Sequence, residues 1–408
     1  MASETLTSET LASRTLASAR LGVLGVFFLH GAGAGMWVAR IPAVQERLGL
    51  GVGALGLALL GAGLGTLVAM VPTGALIARR GSRTVVLWTA WPAALTLALL
   101  AVAPNGLALF AALVAWGAST SALDVAMNAQ GSRIEQRRGR PIMSSLHGFW
   151  SLGNMSGAAI GALLAGAGVA VDVHLAAAAP ILLVALLAAG RLLVPGDAGH
   201  GGAVFVRPRG ALLALAAVAF CAVTVEGAMF DWGAVYLRRV FAAPEATAAA
   251  AAGCFSAAMA TGRLFGDQFT ARVRATHLAR ACALLAALGV GALSAAPSAM
   301  IALGGLVAVG MGLSILVPLA FGAAGRSTDM AAGTAIAAVA TMGYLGFLVG
   351  PPTLGLTAEQ VGLRGAFTLL LGLLALVAVL ATAVGDQRAR RGSVGQTQVT
   401  VAGGPFDP

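Results

Sequence analysis

Charged side chains are scarce. They make up 10% of 408 residues, against about 25% in soluble domains. A chain this long with so few charges cannot cover a water-facing surface, which excludes a soluble globular enzyme. Lysine is absent, so all 25 basic residues are arginine. They fall in short runs between apolar segments and form no single basic face. The net charge of +10 is therefore better explained by loops facing anionic lipid headgroups than by nucleic-acid binding. Only three cysteines occur, Cys221, Cys254 and Cys282. Each lies inside an apolar run and without metal-ligand spacing, which argues against a disulfide framework. No His/Cys/Asp cluster has the spacing of a metal site and no phosphate-binding G-x-x-x-x-G-K-[ST] loop occurs, so the sequence calls for no metal, no cofactor and no direct use of ATP.

What is abundant is apolar: 59% of the residues are hydrophobic and the mean hydropathy is +0.90. Glycine is plentiful too, at 56 residues, as expected where membrane helices pack closely. A bilayer core about 30 Å thick takes about 20 residues of helix to cross. Twelve segments meet that length: 20–39, 50–73, 84–103, 106–130, 142–168, 171–194, 211–236, 246–270, 277–296, 299–323, 331–356 and 361–385. The sequence thus predicts an all-α membrane protein of twelve transmembrane helices. Residues 1–19 read as a disordered cytoplasmic tail and not as a cleaved signal peptide. Residues 20–194 form one six-helix bundle, 195–210 a central cytoplasmic loop rich in Gly and Pro, 211–385 a second bundle, and 386–408 a cytoplasmic tail.

Arginine position tests this topology. With both termini in the cytoplasm, inner segments hold 19 arginines, outer segments five, and Arg263 lies within a span. That asymmetry obeys the positive-inside rule, and one missed span would invert every later loop. The two bundles begin about 191 residues apart, and echoes recur near that offset: Gly74 and Arg80 with Gly266 and Arg272, Trp150 and Gly161 with Tyr344 and Gly355. Two related halves imply a site at the bilayer midplane between them.

The stretch Gly74-Ala-Leu-Ile-Ala-Arg-Arg-Gly-Ser-Arg83 resembles the loop 2–3 signature G-x-x-x-D-R-x-G-x-R of the major facilitator superfamily. It departs where Ala78 stands in the acidic position. Gly262-Arg-Leu-Phe-Gly-Asp267 followed by Arg272 is a looser copy in the second half. Asp124-Val-Ala-Met-Asn128, His147-Gly-Phe-Trp-Ser-Leu-Gly153 and Gly343-Tyr-Leu-Gly-Phe-Leu-Val-Gly-Pro-Pro352 are similar to the fucose-permease-like branch and its bacterial inner-membrane relatives. The resemblance implies two pseudo-symmetric bundles, alternating access, and a gating role for Gly74, Arg79, Arg80 and Arg83. It also implies proton-coupled uptake involving Asp124 and Asn128. The branch's acid in the first helix has no counterpart in His30-Gly-Ala-Gly-Ala-Gly-Met-Trp37.

Ionisable groups within membrane spans are functional candidates by default. Asp124 and Asn128, four residues apart, share a helix face, where a carboxylate beside a carboxamide can bind a hydroxylated solute or hold a proton. Glu226, His30 and His147 complete the expected substrate- and proton-binding set. Asp231, beside Trp232, reads as an interfacial anchor or a gate partner for Arg238 or Arg40. Arg263 and Asp267, at i and i+4, read as a local gating pair. Gly350, Pro351 and Pro352 predict a kinked, closely packed helix or hinge. The expected function is a secondary carrier, proton-coupled and monomeric in the cytoplasmic membrane, for a small polar solute such as a sugar. The alternative is proton-driven efflux of hydrophobic or toxic compounds.

Overall fold

The computed structural model describes residues 2–138, 142–195, 209–326 and 332–385; the central loop and C-terminal tail anticipated from the sequence lie largely or wholly outside them. The first bundle comprises α1 (Ala2–Arg47), α2 (Val52–Arg80), α3 (Ser82–Val102), α4 (Gly106–Arg138), α5 (Met143–Gly166) and α6 (Val171–Arg191). The second comprises α7 (Ala211–Phe241), α8 (Glu245–Arg272), α9 (Ala275–Ala295), α10 (Ala299–Leu313), α11 (Leu316–Gly325) and α12 (Ala332–Leu380). Helices α10 and α11 make the tenth crossing, interrupted at Ser314–Ile315. The last two crossings are the arms of α12, which meet at Gly362 with φ 73° and ψ 166°. That left-handed φ is open to glycine and costly for other residues. The sequence reading ends one span at 356 and begins the next at 361, beside this break; at Pro351–Pro352, where it expects a kink or hinge, the backbone stays helical.

Among the described residues, nine helices are long and apolar enough to cross a membrane. One of these comprises both arms of α12; α5 and α8 supply the remaining crossings. Helix α1 runs back to Ala2, where the sequence reading places a disordered tail. Residues 2–21 contain neither glycine nor proline, so nothing in that stretch breaks a helix.

The two halves repeat one packing scheme. In the first, α1 packs on α5, α2 on α4, α3 on α4 and α3 on α6. In the second, α7 packs on α12, α8 on α10, α9 on α10 and α9 on α12. The halves meet chiefly along α5 against α8 and α2 against α12, two contacts that exchange under the pseudo-twofold. Close approach inside the first half comes from two facing small-residue pairs. A Cβ added at Gly153 or Gly157 of α5 would collide with the carbonyl oxygen of Phe28 or Ala32 on α1. One added at Gly31 or Gly35 of α1 would collide with the carbonyl of Trp150 or Asn154 on α5. Backbones therefore touch where lipid supplies no hydrophobic drive to bring helices together.

Candidate functional site

Five helices bring polar side chains to the middle of the molecule. Arg263 of α8 reaches Glu226 of α7 at 3.4 Å, the two being 20% and 12% exposed. Its other terminal nitrogen donates to Ser151 Oγ of α5, in the opposite half, at 3.2 Å. Ser151 in turn donates to the His147 carbonyl at 3.1 Å, and the His147 ring lies within electrostatic reach of Arg263. One turn outward, Ser256 of α8 donates to Asn154 Oδ1 of α5 at 2.6 Å, a second polar contact between halves. On α4, the Asn128 amide donates to the Asp124 backbone carbonyl at 2.9 Å and to its carboxylate at 3.2 Å. Tyr344 of α12 lies within electrostatic reach of both Asp124 and Glu226.

Aromatic surfaces border this polar group. Trp150 meets Phe230 edge-on at 6.2 Å, Phe230 meets Phe255 edge-on at 4.9 Å, and Tyr344 stacks with Phe347 at 6.3 Å. His30 is held by two partners. The Trp150 indole N–H donates to Nδ1 at 2.8 Å, and Nε2 lies 3.2 Å from the Thr120 carbonyl. An indole can only donate and a carbonyl can only accept, so this geometry selects the neutral tautomer protonated at Nε2. His30 consequently orients Trp150 and has no ring nitrogen left for a ligand while both bonds last. His147 packs its ring edge-on against Phe27 at 5.4 Å.

One sequence expectation changes here, and another lies outside the described residues. Arg263 takes Glu226 and Ser151 as partners; the side chain of Asp267, its expected partner, lies outside the described residues. Arg238 and Arg40 do not pair with Asp231. Arg238 Nε binds Glu46 at 2.6 Å, and Arg40 Nε lies 3.4 Å from Glu245. Among the described residues Asp231 has no hydrogen bond or ion pair. Both arginines face carboxylates across the halves instead, Glu46 of α1 for Arg238 and Glu245 of α8 for Arg40. Tyr344, Ser151 and Asn154 were missed as site residues, although Tyr344 and Trp150 are partners in the internal echo.

At the end that carries the α1–α2 and α7–α8 turns, the halves are joined by ion pairs and hydrogen bonds. Arg238–Glu46 and Arg40–Glu245 cross in opposite directions, and Arg239 reaches Gln45 at 3.5 Å and the Leu50 carbonyl at 3.3 Å. Gly56 of α2 lies against Pro351 and Gly355 of α12. Gly350 packs against Thr224 of α7. Among the described residues, the innermost hydrogen bond between halves is Arg263–Ser151. Beyond it, a Cβ added at Gly148 or Gly74 would meet nothing within 4 Å. Arg80 lies over the Trp88 ring at 5.5 Å, and Arg83 donates to the Arg191 carbonyl at 3.0 Å. Neither they nor Arg79 has an acidic partner among the described residues, consistent with Ala78 in the acidic position. The central polar group is thus covered at the end that carries the α1–α2 and α7–α8 turns.

The sequence matches the profile of the Major Facilitator Superfamily over residues 23–351. The chain belongs to this family of membrane transporters. It is 35% identical to an uncharacterized MFS-type transporter of Yersinia pestis over 88% of this chain and 94% of that one. It is 34% identical to the uncharacterized transporter y4wD of Sinorhizobium fredii, over 88% and 96%. The membrane protein MosC of Rhizobium meliloti is 29% identical over 86% of each. Among solved structures, a D323A mutant of the nucleoside transporter NupG aligns with a TM-score of 0.74 at 11% identity, over 90% of this chain and all of that one. An inward-facing bacterial homologue of the human lysosomal transporter Spinster aligns at 0.70 and 13% identity, over 91% and 97%. At these identities the structures establish the fold: this transporter has the two-bundle architecture of the superfamily.

Proposed function

We propose that this chain is a proton-coupled carrier that moves a small polar, ring-bearing solute, such as a sugar or nucleoside, by alternating access. It works as a monomer in the cytoplasmic membrane with both termini inside, and the structure represents its inward-open state. The supporting observation is the polar group shared between halves: Arg263 contacts Glu226 in its own half and Ser151 in the other, with Tyr344 within electrostatic reach of Glu226 and Asp124. A carboxylate, a carboxamide and a phenol offer the acceptors and donors that hydroxyl groups need. Trp150, Tyr344 and Phe347 offer flat faces to the apolar side of a ring. Asp124 has no cation beside it, so it is the group best placed to carry the coupling proton.

Asp124→Asn and Glu226→Gln each remove a charged hydrogen-bonding partner, worth about 1.5–3 kcal/mol. Uptake of labelled sugars and nucleosides into proteoliposomes under an inward proton gradient should fall about 10- to 100-fold in each variant. Equal uptake by wild type and both variants would refute the assignment. Compound resistance in cells that depends on the protein, without solute uptake, would support efflux instead.

A further inference from the structure

His174 lies in the first turn of α6, is 3% exposed, and has no hydrogen-bond partner at either ring nitrogen among the described residues. It stands beside Arg40. A Cβ built on Gly161 of α5 would collide with Ala39 Cβ at 2.8 Å and lie 3.7 Å from His174 Cε1 and 3.9 Å from Arg40 Cγ, so both side chains pack around this close approach of α5 to α1. Arg40 is 1% exposed. Its terminal nitrogen donates to the Val169 carbonyl at 2.7 Å, while Nε and its second terminal nitrogen have no hydrogen-bond partner, and neither does Glu245 Oε1. The Arg40–Glu245 contact at 3.4 Å is therefore an ion pair without a well-directed hydrogen bond. Arg40 thus links His174 of α6 to Glu245 of α8, whose side chain is 35% exposed, and five buried polar atoms of these residues lack a hydrogen-bond partner among the described residues. Buried polar atoms are paired in nearly all native structures, and each exception calls for an explanation.

We propose that His174 is a proton-binding site within the outer gate, and that the proton it takes releases the Arg40–Glu245 latch between the halves. A proton on the imidazole places a second cation beside a buried guanidinium whose ion-pair partner is Glu245. Mutual repulsion in a region of low dielectric is strong, and the side chains escape it by parting. Separation of the halves also lets water reach the unsatisfied nitrogens. The charged groups around His174 are Arg40 on α1 and, through Arg40, Glu245 on α8; Arg238 of α7 in turn lies within electrostatic reach of Glu245. On α6 itself Asp172 lies two residues earlier and donates nothing to the ring; its carboxylate accepts from the Val173 N–H at 2.9 Å.

The sign follows from linkage. The latched state disfavours the proton and the released state accepts it, so lowering the outer pH populates the released state. With one linked proton, the released population rises by at most about tenfold per pH unit. In a proton-coupled importer an acidic exterior would then open the gate that admits solute. That use of the proton rests on the carrier reading; the gate's response does not, because it is measured without solute.

The test uses spin labels at Ala167→Cys and Ala295→Cys, on the outer ends of the two halves, with the three native cysteines replaced by alanine. Distances are recorded in nanodiscs between pH 8 and pH 5.5. The long-distance population should grow as the pH falls in the otherwise native protein. His174→Gln should abolish that growth while leaving the gate closed at pH 8. His174→Asn serves as the second variant should His174→Gln fail to fold. Glu245→Gln should give a largely open gate at every pH. An unchanged pH response in the histidine variants, or a closed and pH-responsive gate in Glu245→Gln, would overturn the proposal.

Discussion

Arg263→Leu should destabilise the protein and stop transport, and adding Glu226→Gln should restore the stability without restoring transport. Removing Arg263 leaves the Glu226 carboxylate mostly buried without its counter-charge, and deprives Ser151 of its link to the other half. Breaking a buried pair from one side costs about 3–5 kcal/mol, whereas neutral replacement of both partners is often close to neutral. Since both side chains retain some exposure and Glu226 can take up a proton, the expected loss is nearer ~2–3 kcal/mol for Arg263→Leu and ~1 kcal/mol or less for the double variant. Melting curves of the purified variants, run beside uptake assays, measure the two effects separately. A double variant that melts as early as Arg263→Leu would show that Glu226 is not the partner that matters.

The second large effect belongs to the outer closure. Glu46→Gln and Glu245→Gln together remove both carboxylates that bind arginines across the halves. No ion pair between halves is found at the inner face among the described residues, and Ala78 supplies no carboxylate there. The Arg40 end is deeply buried while the Arg238–Glu46 pair is half-exposed and screened. Losing both should favour the outward-open state by about 2–3 kcal/mol, which moves the equilibrium by roughly 30- to 150-fold. Labelling of Asn154→Cys by a membrane-impermeant thiol reagent from the outer side should accelerate accordingly. Labelling no faster than in the wild-type background would mean that glycine packing of α2 on α12, and not the ion pairs, holds the outer face shut.

The crossings were legible because lipid imposes length and apolarity on each of them. The segment expected at 277–296 is α9, Ala275–Ala295, and the one at 171–194 is α6, Val171–Arg191. Helix ends were less legible, since hydropathy marks the membrane edge and not the last helical turn. Helix α4, expected to stop at 130, continues to Arg138 through Arg133, Glu135 and Arg137. At the centre, sequence spacing found which residues carry polar groups but not how they pair. Asp124 with Asn128 is a pair within one helix, so spacing revealed it. Arg263 with Glu226 joins residues 37 positions apart, and Arg40 with Glu245 joins opposite halves; neither leaves a periodic trace. His30 was visible as a titratable group in a glycine-rich helix, yet only the Trp150 and Thr120 contacts reveal that both its nitrogens are engaged.

The account rests on two halves that rock about a shared polar centre, and one paired measurement tests this directly. Spin labels at Ala167→Cys and Ala295→Cys report the outer ends, and labels at Ser132→Cys and Ala271→Cys report the inner ends. Both distances are measured in the native background and with Glu46→Gln and Glu245→Gln. The predicted result is reciprocal: the outer distance lengthens and the inner one shortens in the same fraction of molecules. An outer distance that lengthens while the inner one stays fixed would contradict alternating access about this centre.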